Sequence, residues 1–462
     1  MAERSFKKEV LKLQAGDGEI FQGEGILAIT KGLLQSGVAY VGGYQGSPIS
    51  HLMDVLNDAH DILSDLGVHF EASGSEATAA AMLSASINYN LRGAVTWKST
   101  VGTNVASDAL SNIASSGVTG GAIVIVGEDY GEGSSIMQER TYAFAMKAQM
   151  WLVDPRPNLT SIVDMIELSF QLSEASNTPV FYMMSVRGCH VTGEFIAKDN
   201  IAPDYGTKNH VTPNREAKKI ILPPQVYQQE QDKIDRRWPA AIDFIVKNKL
   251  NEFFPGKHKH LGIITLGGNY NTLIRALQRQ GLADSFGATD IPIYVMNVAY
   301  PVVPEEIVEF CLDKKHVLLL EEGQPEYIEP ALHSILRKRD IQTKLYGKEV
   351  FPRAGEYTAQ VTLTGLTRFL EIADCIKNDQ SLTVKDVEKL ASPLSDEDHQ
   401  RLLTVVPARP SGLCTGCPER PLFSAIKQVQ KEIGPFHISS DIGCHSFATL
   451  APFNLGNTIM GY

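Results

Sequence analysis

Short, β-branched apolar runs alternate with stretches of helical periodicity over roughly the first 190 residues. Residues 38–43, 93–97, 122–126 and 179–186 have the length and composition of strands. Residues 47–66, 75–91, 105–116 and 159–175 repeat apolar positions at helical spacing between them. This alternation predicts an α/β domain: a parallel sheet with right-handed crossovers and helices on both faces. Ligands of such sheets gather beyond the carboxyl ends of the strands. The polar, Gly-rich segments 42–50, 98–104 and 127–135 fall there.

The pattern breaks over 196–255, where Pro-Asp, Pro-Asn and Pro-Pro steps and a run of charge read as a surface-packed linker carrying one helix, 235–250. A second β/α region follows, with strands at 261–266, 292–298 and 317–321 and helices at 269–280, 304–311 and 327–338. It is long enough for an independent α/β domain over 256–375. The polar stretch 376–404 reads as another linker. From 405 a third domain begins, with a helix at 421–433 and a strand at 437–441.

Composition narrows the function classes. The net charge of −11 opposes nucleic-acid binding, which needs a basic face. No apolar run approaches the length of a membrane span. The N-terminus lacks the apolar core of a secretory signal. Six cysteines in 462 residues suit a reducing, cytoplasmic compartment rather than a disulfide scaffold. Cys189, Cys311 and Cys375 are scattered and read as buried thiols.

The other three cysteines are clustered. Cys414-Thr415-Gly416-Cys417 precedes Ser440-Asp441-Ile442-Gly443-Cys444-His445. Cys414, Cys417 and Cys444 suit an iron–sulfur cluster lacking its fourth thiolate, or structural zinc with His445 as fourth ligand. A redox-active C-x-x-C is a third option, disfavoured because no thioredoxin-like strand precedes it. Elsewhere, Glu76 opens an Ala-rich helix, where a first-turn carboxylate also suits the helix dipole or a capping pattern with Ser73. Ser47 and Pro48 have the residue types of a helix cap and its first position. Lys98 and Arg187 each follow a strand, where a solvated surface cation is the default. Gly16-Asp17-Gly18 has no strand before it and reads as a turn, and the Gly267-Gly268-Asn269 pair of glycines is weak evidence for a phosphate loop.

Five segments, in collinear order, resemble the alpha subunit of the indolepyruvate ferredoxin oxidoreductase family, thiamine-diphosphate and iron–sulfur enzymes acting on 2-oxoacids. They are Tyr44-Gln45-Gly46-Ser47-Pro48, Glu71-Ala72-Ser73-Gly74-Ser75-Glu76-Ala77, the run from Lys98 to Leu110, the run from Glu128 to Glu139, and Cys414–Arg420 with Ser440–Cys444. The sequence departs from the family at Gln45, at Ser47 and around Lys98, which leaves the substrate open.

The resemblance implies a thiamine-diphosphate-binding-type parallel-sheet domain (1–195, pyrimidine-binding), a transketolase-C-terminal-like α/β domain (256–375), and the start of a second thiamine-diphosphate-binding domain (405–462). It implies oxidative decarboxylation of an aryl 2-oxoacid to an acyl-CoA, with thiamine diphosphate, Mg²⁺ and a [4Fe-4S] cluster as cofactors. Glu76 would hydrogen-bond the cofactor's aminopyrimidine and promote its imino form, with Glu71 the competing carboxylate. Gly46, Gly102 and Asn104 would line the cofactor; Ser47, Lys98 and Arg187 would face the substrate; Cys414, Cys417 and Cys444 would hold the cluster. The family's subunit continues beyond the matched part, so this chain is expected to be incomplete alone. Expected partners are the 2-oxoacid, coenzyme A, ferredoxin, a beta subunit and a second copy of the catalytic subunit. The competing readings are a non-oxidative thiamine-dependent decarboxylase or synthase, and a non-catalytic subunit of an oxidoreductase complex.

Overall fold

The structure, a computed structural model, describes residues 5–131, 141–204, 216–373, 382–390, 396–406, 413, 416–441 and 444–460. Its contacts divide the chain into two compact units, Ser5–Leu390 and Ala391–Tyr462 with Met1–Arg4.

Two α/β sheets build the larger unit. The first comprises β2 (Tyr40–Gly43), β3 (His69–Ala72), β4 (Gly93–Lys98), β5 (Ala122–Glu128), β6 (Trp151–Val153), β7 (Val180–Ser185) and β12 (Val298–Tyr300). Their order is β12-β6-β7-β5-β4-β2-β3. Every pairing is parallel except that of β12 with β6. The second sheet has the order β14-β13-β10-β11-β9. It comprises β9 (Glu252–Phe254), β10 (Leu261–Leu266), β11 (Ile293–Met296), β13 (His316–Leu320) and β14 (Lys344–Tyr346). A two-stranded antiparallel ribbon, β1 (Ile20–Glu24) with β8 (Thr192–Ile196), pairs Ile20 with Ile196.

Strands β4 and β5 are buried along their whole length, as the centre of a doubly covered parallel sheet requires. On one face pack the helices Gly25–Gln35, Ser50–Asp58 and Leu159–Ser176. On the other pack Glu76–Leu83, Ser99–Ser116 and Thr141–Ala148, and this core runs on into the second sheet through Leu266, Met296 and Leu319. Burying a large apolar side chain contributes roughly 1.5–3 kcal/mol, so this shared core binds the two sheets strongly.

Several elements differ from the sequence reading. The helix expected over 47–66 is two, Ser50–Asp58 and His60–Leu66, and its cap position falls on Ile49 rather than Ser47. The segment 98–104, expected as a loop, is helical from Ser99. The strand expected over 292–298 breaks at Asn297, and its second part leaves for the first sheet as β12. Within 196–255 lie the helices Gln225–Asp232 and Trp238–Lys247, joined by one π-helical turn. They pack through buried Arg237 and through Trp238, which meets Trp151 and Tyr300 edge-on.

The smaller unit has a helix, Glu419–Ile433, and a parallel strand pair, β15 (Ser439–Asp441) and β16 (Thr458–Met460). Phe423, Ala448 and Leu455 form its core. No helix among the described residues is long and apolar enough to cross a membrane.

Candidate functional site

The carboxyl ends of β2, β3, β4 and β5 meet along one edge of the first sheet. After β2 the chain turns through Gly46, Ser47 and Pro48. Lys98, the last residue of β4, is 9 % exposed, and its ammonium donates to the Ser47 carbonyl oxygen at 2.6 Å. The turn lies directly on β4: a Cβ at Gly46 would sit 2.5 Å from Lys98 Cβ and 2.7 Å from its backbone nitrogen. Gly43, at φ +155°, has no room for a Cβ against the backbone of Thr96. Glycine is therefore demanded twice where two backbones close together.

Glu76 is the first residue of a helix packed against β2, β4 and the Ser99–Ser116 helix. It is 2 % exposed, and burial raises its pKa against the opposing pull of its own backbone N–H. The helix cap is Ser75, which closes a reciprocal box with Thr78, not Ser73. Ser73 instead donates its backbone N–H to Gly43 O, and its hydroxyl is buried without a hydrogen-bond partner among the described residues. The same holds for the Thr96 hydroxyl on β4. Unsatisfied buried hydroxyls are uncommon in finished interiors and favour a site that a ligand completes. The rival carboxylate, Glu71, is more than half exposed and lies 3.4 Å from His69 Nε2.

The remaining expected residues separate. Gly102 lies in the Ser99–Ser116 helix, where a Cβ would meet the Trp97 ring at 2.6 Å, so its smallness serves helix–strand packing. Asn104, two residues on, is exposed. Arg187 follows β7 and is committed to the second sheet: it donates to Glu322 Oε2 at 2.6 Å, Asn269 Oδ1 at 3.1 Å and Tyr357 O at 2.8 Å. Cys414 lies outside the described residues, as does Cys375, and the side chain of Cys444 is likewise not described. Cys417 is half-buried, and His445 Nε2 is 3.5 Å from Glu419 Oε1. No group of metal-binding side chains forms among the described residues. Cys189 and Cys311 are buried, and burial pushes the Cys311 thiol up to about 12.

Gly16-Asp17-Gly18 is a turn, as read, tied by Gly16 N–H to Glu19 and Asp17 N–H to Asp199. The Gly267-Gly268-Asn269 turn is already occupied, because Gly268 N–H serves the buried carboxyl of Asp154. Burial raises Asp154 to about 8; Glu128 and Glu322 push the same way, while Gly268 and Arg187 oppose them. These carboxylates were not singled out from sequence, although Glu321-Glu322 after an all-apolar strand was a signal. A cavity of about 30 Å³ beside them, lined by Tyr130, Tyr142, Glu322 and Tyr327, has room for a water and none for a 2-oxoacid.

No protein-family model matches the chain. It is similar over 460 residues, at 26 % identity, to the indolepyruvate oxidoreductase subunit IorA of Methanothermobacter marburgensis, covering 97 % of this chain and 67 % of that one. The IorA subunits of Thermococcus kodakarensis and Archaeoglobus fulgidus are also 26 % identical, over 439 and 435 residues, and are covered to 62 % and 63 %. These relatives carry the name of the family that the motifs resemble, and the chain spans about two thirds of their length or slightly less. Among solved structures, a 2-oxoglutarate:ferredoxin oxidoreductase from Magnetococcus marinus shares the fold, with TM-score 0.55 and 15 % identity over 77 % of this chain and 66 % of that one.

Proposed function

We propose that this chain forms the pyrimidine-binding half of a thiamine-diphosphate site in a 2-oxoacid:ferredoxin oxidoreductase of the indolepyruvate type. The observation that carries the reading is Glu76: a buried carboxyl at a strand-end helix start, with a raised pKa and no ion pair among the described residues. A carboxyl whose protonated form is favoured by burial suits donation to a ring nitrogen. The buried hydroxyls of Ser73 and Thr96, without a hydrogen-bond partner among the described residues, offer a bound polar ring groups to pair with. Thiamine diphosphate, when bound, would supply a nucleophilic carbon and an acceptor for the electrons left by loss of CO₂.

The chain's own residues have distinct tasks in this reading. Glu76 holds a proton against the pyrimidine. Lys98, turned onto the Ser47 carbonyl, supplies positive charge for the 2-oxoacid carboxylate. Cys414, Cys417 and Cys444 would hold a [4Fe-4S] cluster, which would supply one-electron transfer toward ferredoxin, and coenzyme A would take up the acyl group. Residues 1–195 are the pyrimidine-binding domain, 256–375 a transketolase-C-terminal-like domain, and 405–462 the opening of the diphosphate- and Mg²⁺-binding domain. A beta subunit and a second catalytic subunit complete a cytoplasmic enzyme.

The test is titration of thiamine diphosphate into the reconstituted complex, with aryl-2-oxoacid- and CoA-dependent reduction of ferredoxin as the activity. Wild type should bind and turn over, and Glu76→Ala should lose at least about 100-fold in turnover, the lower end of a general acid–base contribution. Equal binding and turnover by both proteins would remove Glu76 from the mechanism.

A further inference from the structure

Glu128 ends β5, next to Gly127, which pairs with Lys98 on β4. It is 1 % exposed. Its Oε1 accepts the Tyr130 hydroxyl at 2.7 Å and the backbone N–H of Thr141 at 3.3 Å. Thr141 opens the helix Thr141–Ala148, so the carboxylate also faces that helix's positive end. The Thr141 hydroxyl lies 2.5 Å from the hydroxyl of Ser99, and both residues are buried. Ser99 is the first residue of the Ser99–Ser116 helix and follows Lys98 directly. One buried side chain thus reaches, in two hydrogen bonds, Ser99, the residue that follows Lys98 in the chain.

We propose that Glu128 is a positioning residue: through Thr141 it fixes Ser99, and with it the direction of the Lys98 ammonium onto the turn at Gly46–Pro48. The groups facing Glu128 agree with a fixed geometry. Asp154 repels it, and the Tyr130 hydroxyl and the Thr141 N–H hold Oε1 at the start of the Thr141–Ala148 helix. The role of Lys98 toward substrate rests on the function proposed above, whereas its positioning by Glu128 does not.

The experiment therefore has two arms. In the first, the Lys98 amine of the full chain is acylated under limiting reagent and mapped by peptide mass, with buried Lys31 as internal reference. Glu128→Ala and Thr141→Val should each raise Lys98 labelling by up to about tenfold, the equivalent of one lost hydrogen bond, while Lys31 is unchanged. Glu128→Gln, whose amide oxygen accepts the same two donors, should stay near wild type. Thr141→Val removes one hydroxyl at constant shape, so it carries the test should Glu128→Ala not fold. Unchanged labelling in the folded variants, or a rise shared equally by Lys31, overturns the proposal. In the second arm, KM for the 2-oxoacid is measured on the complete enzyme. A rise in KM with kcat retained supports both statements. Altered labelling with unchanged KM upholds the positioning and overturns the assignment of Lys98 to substrate.

Discussion

Glu76 and Asp154 are buried carboxyls whose pKa values burial raises, one at the candidate site and one at the seam between the sheets. Glu76 has no ion pair among the described residues, and its folded-state pKa is raised by burial. The folded protein therefore binds its proton more tightly than the unfolded chain, and stability falls as pH climbs above the ordinary carboxylate range. Glu76→Gln should raise Tm at pH 7.5 while abolishing turnover, the pairing expected where function requires a costly group. A lower Tm with turnover retained would contradict its placement. Asp154 lies between an ordinary unfolded value of 3.8 and a folded value of about 8. Its protonated form is favoured by folding, so its contribution is complete below pH 4 and is lost as pH rises from 4 to 8. Asp154→Asn keeps an acceptor for Gly268 N–H without the charge. Its Tm should fall less steeply than wild type between pH 5 and 8, which differential scanning calorimetry across that range measures. Parallel profiles would show that Asp154 titrates as an ordinary carboxylate.

The helix Ser99–Ser116 shows what a linear pattern conveys and what it omits. Its apolar positions from Val105 onward are readable. Its first turns, Ser99-Thr100-Val101-Gly102-Thr103-Asn104, combine β-branched, Gly and short polar residues that favour loops. Tertiary contacts reverse that preference: Trp97 Nε1 donates to Thr103 Oγ1 at 3.1 Å, and the ring packs over Gly102. The juxtaposition of Gly46, Ser47 and Lys98 was legible, because strand-end loops of a parallel sheet converge. The Glu128–Thr141–Ser99 relay was not, since it depends on where a distant helix lands. The other end of the same helix depends on Arg237. That side chain, 5 % exposed, donates to the carbonyls of Ala114 and Ser115 at 2.8 and 3.2 Å and pairs with Asp232 at 2.6 Å. A cation at a helix C-terminus is favourable, and Asp232 neutralises what would otherwise be an isolated buried charge. Asp232→Asn should therefore cost about 3 kcal/mol, near the lower range for breaking a buried pair. Urea unfolding should show this as a lower midpoint at unchanged slope. A loss within about 0.5 kcal/mol, the range of an ordinary surface substitution, would mean that Arg237 is adequately solvated.

At the scale of the larger unit, the two α/β regions that the pattern separates are tied along a continuous seam. The break at Asn297 is one residue long: β11 ends at Met296, and β12 begins at Val298 as an edge of the first sheet. Asn297 holds that crossing by donating to Leu250 O at 2.8 Å and Glu252 Oε2 at 2.9 Å. A one-residue switch between sheets has no periodic signature, so residues 292–298 read as one strand. Beside it, Asp154 fills the Gly267–Asn269 turn and Arg187 bonds Glu322. A seam built from a shared strand, a shared core and a buried ion pair should make the sheets unfold together. The three tryptophans, Trp97, Trp151 and Trp238, report on the first sheet and its covering helices. Hydrogen exchange at residues 261–266 and 316–320 reports on the second. Both probes should return the same unfolding free energy, and Arg187→Met, which strands Glu322 without its cation, should lower both by about 3 kcal/mol. Two separate transitions in the wild-type protein, or a loss confined to the second sheet in Arg187→Met, would show that the seam joins two independently stable domains.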